Sequence, residues 1–308
     1  MSKEEIQKSI YECKNDEDIE RFVQERIRGL EDDSEEVTIG QNYTDTFEQY
    51  ISSKVHYKPA AKFEKGECPD LVYDDMEPYV SLIKGIRRNP WYNELTLFTS
   101  IFWELHRYLP NSEDIGIERY LTYHSHIDDG KISIKDIKAH DCAFCSEKSG
   151  LSHNMFKLLG IDSSLVSGER DNTAHAYNII FPNGYGNKPA VIFDPSHHID
   201  FVNEEGKKTS AGYYKALSEE EYEKMKNGES VSLDMARSGE KIKELYGGVL
   251  DGYEMQVETP SYSIGFGKTK LQKKEAELAS LEKDEKDISQ EENIIDAKNQ
   301  KQGEQVGE

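Results

Sequence analysis

Two cysteines stand three residues apart in HDCAFCSEKSGLSHNMFKLLGI, residues 140–161. A pair so spaced can ligate a metal, cycle as a redox couple, or include one nucleophile. After Cys145, the residues Leu151, Met155, Leu158 and Leu159 form an apolar stripe that predicts a helix over 146–159, closed by Gly160. Cys145 then falls in the first turn, where the helix N-terminus stabilises a thiolate and lowers the thiol pKa. The thiolate is the attacking form, and it needs a base. His175 lies thirty residues on, in TAHAYNIIF. A base in turn needs an acceptor that fixes its tautomer and stabilises its charged form. Asp194, nineteen residues further in VIFDPSH, has the right chemistry for that role.

Three elements must bring these side chains together. SSLVSGE, TAHAYNIIF and AVIF read as short strands, separated by turn signals such as PNGYG. The order helix, strand, strand, strand with hairpin links predicts an α+β fold, with the cysteine-bearing helix packed on an antiparallel sheet. Neighbouring antiparallel strands can present His175 and Asp194 side by side, and a helix across them can aim Cys145 at the imidazole. Upstream, Leu97, Phe98, Ile101, Phe102, Leu105 and Leu109 predict a core helix over 92–110, ended by Pro110.

Residues 3–30 carry isoleucines and Phe22-Val23 at spacings that predict one or two amphipathic helices, whereas 38–75 show no sustained period. A surface helix is expected at 218–228 and a last strand over 253–266. The expected organisation is a mainly helical N-terminal extension (1–89), a catalytic domain (90–262) and a charged, disordered tail (263–308). From Lys268 onward the chain has no aromatic residue and no proline.

Composition narrows the function classes. A net charge of −22 opposes binding to nucleic acid or an anionic membrane. No apolar run approaches the roughly 20 residues of a membrane span. The four cysteines, Cys13, Cys68, Cys142 and Cys145, are too few for a disulfide scaffold in 308 residues. The segment MSKEEIQKSIYEC lacks an apolar leader region, so a cytoplasmic protein with free thiols is expected. HIDDGKISIKDI fails as a calcium loop, because Ser125 and Ile127 fall where oxygen ligands are required. A zinc set of Cys142, Cys145, His140 and His175 can be written, but no second C-x-x-C accompanies it. The neighbours His197 and His198 should point to opposite strand faces. No metal and no cofactor is expected. A zinc or redox protein using Cys142 and Cys145 is the alternative class, and a non-catalytic binding module on the same fold is another.

Joined in order, CSEKSGLSHNMFKLLGIDSSLVSGE, AHAYNIIF and VIFDPSH resemble the core of the transglutaminase-like superfamily of papain-like Cys-His-Asp enzymes. That family has a cysteine opening a helix and Leu-Gly-Ile about fifteen residues later. A short strand ending in Gly follows, then His with a small and an aromatic residue, and Asp-Pro-Ser/Thr after an apolar strand. Cys145, residues 158–161, Gly168, 175–177 and 194–196 match in turn, and Ser149 is the small residue one turn beyond the cysteine. Ala143, Tyr177 and Ser196 depart from the commoner Gly, Trp and Thr. The match covers under a fifth of the chain, and its spacing selects Cys145 over Cys142.

The resemblance implies a papain/transglutaminase-like α+β core. Cys145 would be the nucleophile, His175 the acid and base, and Asp194 the orienting carboxylate. It implies a thioester formed from an amide or peptide bond of a protein or peptide substrate. Water as second nucleophile gives a protease, amidase or deamidase, and a lysine amine gives a transglutaminase. Oxyanion donors would be the Cys145 N–H and an upstream side chain, with His140 and Tyr123 as candidates. Asn178, on the opposite strand face from His175, is left unassigned. Cys142 is given no catalytic role, although its spacing permits a disulfide with Cys145.

Overall fold

Isoleucine spacing sets the first two helices. α1 (Lys3–Glu12) buries Ile6 and Ile10, and α2 (Asp16–Asp32) buries Ile19 and Val23. Two side-chain bonds cap the start of α2: Asp18 N–H donates to Asn15 Oδ1 at 2.8 Å, and Lys14 N–H to Asp18 Oδ2 at 2.9 Å. The computed structural model describes residues 3–32, 35–38, 55–58, 70–72, 75–88, 94–110, 131–143, 145–171, 173–182, 189–245, 247–257 and 261–265. All of these lie in one compact unit; a second unit, residues 43–45 and 268–308, falls outside the described residues.

The stretch without periodicity contains short strands where it is described. β1 (Glu35–Thr38) pairs in parallel with β2 (Val55–Lys58), and β3 (Asp70–Val72) with β4 (Lys131–Ser133). α3 (Glu77–Arg88) buries Tyr79, Leu82, Ile83 and Ile86. α4 (Glu94–Tyr108) carries the expected stripe, with Leu97, Phe98, Ile101, Phe102 and Leu105 all buried. α5 (Ile134–Ala139) starts at Ser133, whose hydroxyl accepts the Lys135 N–H. The expected cysteine helix is α6 (Cys145–Leu158).

The rest is a seven-stranded antiparallel sheet curved into a half-barrel, with helices packed on it: an α+β fold. Its strands are β5 (Asp162–Arg170), β6 (Thr173–Phe181), β7 (Val191–Asn203), β8 (Lys208–Ala216), β9 (Val231–Asp234), β10 (Tyr253–Gln256) and β11 (Ser261–Gly265). The order is β10-β7-β6-β5-β11-β9, with β8 also pairing with β7. α7 (Glu219–Lys226), α8 (Met235–Leu245) and the one-turn α9 (Gly247–Leu250) lie between later strands.

Two expectations change. β7 does not stop at Asp194-Pro195. Its register against β8 shifts between Asp194 and His198, so a bulge absorbs the proline, which has no N–H for the ladder, and the strand runs on to Asn203. The single expected strand at 253–266 is two: β10 pairs with β7, while β11 pairs with β5 and β9. β11 also carries regular structure to Gly265, past the expected start of the tail at 263; from residue 266 the tail lies outside the described residues.

α6 is the centre of the core. The leucine stripe predicted one buried face, but Glu147, Lys148, Ser149, Ser152 and His153 are buried as well. α4 and α2 cover it on one side and β5, β6 and β7 on the other. Phe156 meets Phe98 of α4 at 5.7 Å and Phe193 of β7 at 5.1 Å, both edge to face, each pair adding about 0.5–1.5 kcal/mol beyond its burial. The helix ends as expected at Gly160, whose φ of 71° suits a residue without Cβ. Ile161 N–H reaches Phe156 O and Gly160 N–H reaches Lys157 O, which completes a Schellman cap. Arg26 of α2 donates to the carbonyls of Lys157 and Leu158, so the N-terminal region fastens the far end of the cysteine helix.

Candidate active site

Cys145 is the first residue of α6 and is buried, with 8% of its surface exposed. One turn on, about 6 Å along the axis, the Ser149 hydroxyl donates to the carbonyl of Ala176 at 2.8 Å. Ala176 follows His175 in β6, so this bond ties the cysteine end of α6 to the histidine end of β6. Asn178 completes the fastening: its amide donates to Ser149 O at 3.0 Å and accepts from the Ser152 hydroxyl at 2.6 Å. Asn178 thus serves the helix-facing side of β6, the side that alternation assigns it.

His175 and Asp194 form a buried pair. The Nε2–Oδ2 distance is 2.9 Å, with side-chain exposures of 1% and 0%. A carboxylate only accepts, so Nε2 carries the proton and Nδ1 is the basic nitrogen. Two further donors hold Asp194: the Tyr262 hydroxyl at 2.8 Å from Oδ2 and the Ser196 N–H at 3.0 Å from Oδ1. Burial pushes this carboxyl up, but the His175 ring and the hydrogen bonds from His175 and Tyr262 outweigh it and hold the group well below the usual carboxylate range. Asp194 is therefore charged while fully desolvated.

Neighbours shape this side of the sheet. His175 stacks on Tyr177, ring centroids 6.3 Å apart and planes 19° apart. Gly168 pairs across β5–β6 with His175, and a Cβ there would lie 2.1 Å from Gly265 O and 2.8 Å from Tyr177 Cε1. β5 runs two residues past this glycine, which leaves space for Tyr177 and for β11. His197 packs on Tyr262 at 4.6 Å and lies 5.9 Å from His175, and the Arg170 guanidinium bonds its Nε2. From α4, His106 Nε2 bonds Pro195 O at 3.0 Å, inside the bulge that follows Asp194.

Sequence reasoning missed Tyr262, His197, Arg170 and His106. Tyr262 and Arg170 join the site from strand ends and His106 from another helix, with no local motif to mark them, whereas His197 directly follows the Asp-Pro-Ser motif and enters through the bulge in β7. Tyr262 could have been sought only as a hydroxyl in a predicted strand.

The other sequence candidates fall elsewhere. Cys142 is fully buried and its thiol donates to Ile137 O at 3.6 Å. Burial, then the charges of Glu147 and Asp141, push that thiol up to about 12. His140 is exposed, with Nδ1 on Asp136 O at 2.9 Å at the end of α5. Tyr123 lies outside the described residues, as does the calcium-like segment up to Gly130. Cys13, Cys142 and Cys145 are all free thiols. Among the described residues, the group of His, Cys, Asp or Glu side chains close enough to share an ion is His175, Asp194 and His197, without Cys142, Cys145 or His140. No described helix is long and apolar enough to cross a membrane. A cleft of about 640 Å³ between α2, α3 and α4, lined by Glu20, Met76, Glu77, Lys84 and Arg107, contains none of the site residues.

No family model, curated protein or solved structure matches the chain.

Proposed function

We propose that the chain is a cysteine-dependent enzyme of the transglutaminase-like, papain-related kind, acting on amide bonds of proteins or peptides. The observation that carries this reading is the buried His175–Asp194 pair at 2.9 Å, set at the end of β6 to which Ser149 fastens the helix headed by Cys145.

In this reading Nδ1 of His175 takes the Cys145 proton. The thiolate adds to the amide carbon, and the oxyanion is met by the Cys145 N–H at the helix N-terminus. Collapse breaks the C–N bond, and the leaving amine takes the proton from the His175 imidazolium. The thioester is then attacked by water or by an amine, whose proton passes to Nδ1. Breakage of the C–S bond returns the thiol and releases an acid or a new amide. Asp194 stays ionised throughout, keeping Nε2 protonated and the ring aligned. The charge of −22 favours approach of basic, lysine-bearing substrates.

The test is incubation with casein, with and without a fluorescent primary amine. Ammonia release, amine incorporation and new peptide ends report deamidation, transamidation and proteolysis. At least one product is expected, lost in Cys145→Ser and His175→Ala. A product that persists in Cys145→Ser would refute it.

A further inference from the structure

We propose that His175, Asp194 and His197 form a site for a zinc-like divalent ion, and that the ion silences Cys145; the second half rests on the reading of Cys145 as nucleophile. The ligand atoms of the three side chains all lie within 4.8 Å of one another. His175 and Asp194 are buried, and His197 is half-buried. Two imidazoles and one carboxylate suit borderline ions, and three protein ligands leave a fourth position for water. Ligand atoms about 2.0–2.2 Å from a tetrahedral ion stand roughly 3.3 Å apart. The His175–Asp194 separation of 2.9 Å is thus near its required value. Tyr262 and the Ser196 N–H orient the carboxylate from outside, as outer donors do at metal centres.

The protons say what binding entails. Arginine has only donors, so the Arg170 guanidinium on His197 Nε2 marks that nitrogen as unprotonated. The Arg170 charge beside His197 opposes an added cation, so Arg170 and the ion compete for the cluster. At His175 the proton that Nε2 shares with Asp194 must move to Nδ1: the Nε2–H bond breaks, an Nδ1–H bond forms, no net proton is released, and bonds from the ion to nitrogen and oxygen form. No electron moves. With His175 held by the ion and its Asp194 contact replaced, the imidazole no longer serves as base to the thiol.

Zinc binding by the full chain, measured by competition with a chromophoric chelator, tests the site without activity. Cys145→Ser should bind one zinc through this cluster. On that background His197→Gln should weaken it at least tenfold, and Arg170→Gln should tighten it several-fold, an effect that misfolding cannot mimic. A site that His197→Gln leaves unchanged, or that Cys145→Ser abolishes, overturns the proposal, as does Arg170→Gln binding no tighter. In wild type, zinc should slow iodoacetamide alkylation of Cys145 at least tenfold, reversed by chelator and absent in His197→Gln. An unchanged rate overturns the silencing. If zinc-free Cys145 reacts no faster than Cys13, the catalytic reading fails instead, and the titration of Cys145→Ser still judges the site.

Discussion

Tyr262 and His175 donate to the same oxygen. The Tyr262 hydroxyl lies 2.8 Å and His175 Nε2 2.9 Å from Asp194 Oδ2, although Tyr262 follows Asp194 by 68 residues. β11 therefore helps to hold a desolvated charge that begins in β7. Tyr262→Phe removes one donor and keeps the ring. It should cost about 1–3 kcal/mol by urea unfolding and reduce Cys145 alkylation several-fold without abolishing it. An unchanged unfolding midpoint would mean that the hydroxyl contributes nothing to holding Asp194.

Gly168 sets the spacing between β5, β6 and β11. In Gly168→Ala the methyl would meet a backbone oxygen at 2.1 Å, which no rotamer change relieves. The expected loss is about 1–3 kcal/mol or more, with Tyr177 and His175 displaced. A variant with wild-type stability and wild-type Cys145 reactivity would contradict this packing.

Cys145 and Cys142 should behave as opposites. With its pKa pushed up to about 12, Cys142 is thiolate to about one part in ten thousand at pH 8. Peptide mass mapping after iodoacetamide should find it the slowest described cysteine in folded protein, and Cys142→Ala should leave the Cys145 rate unchanged. Rapid labelling of Cys142 would show that its burial is not maintained.

His106 couples α4 to the bulge after Asp194. Burial, then the positive charge of Lys148, pull its pKa below 6.5, against the Pro195 hydrogen bond, and the His198 ring stands beside it at 5.6 Å. The unfolded chain therefore binds the extra proton first. Stability from this group is complete above pH 6.5 and erodes as pH falls below it. His106→Gln keeps a donor for Pro195 O but cannot titrate. Its unfolding midpoint should fall less than wild type between pH 6 and pH 4, and superimposable pH curves would contradict the account.

The linear pattern around the site was legible because it is local. The leucine stripe of α6, Gly160 and the runs at 163–169 and 173–181 report their own conformation, and the α+β class follows from their order. Other parts were hidden by tertiary causes. The sequence KTSAGYYKA shows little apolar alternation, yet it forms β8 by pairing along β7. Glu147 and Lys148 lie outside the leucine stripe, yet they are buried because helices and sheet enclose α6 on both sides. His197 looked like half of an unusable His-His pair. The bulge in β7 instead places it beside Tyr262 and His175, while His198 turns to His106 and Phe102.

The central claim is that Cys145 is a thiolate made reactive by His175, and the rate of iodoacetamide alkylation of each cysteine against pH tests it most directly. Peptide mass mapping of zinc-free protein should show Cys145 reacting at least tenfold faster than Cys13, Cys68 and Cys142 below pH 7, an advantage lost in His175→Ala. A Cys145 rate equal to that of Cys13, or one unaffected by His175→Ala, would contradict the thiolate–imidazolium pair and with it the proposed chemistry.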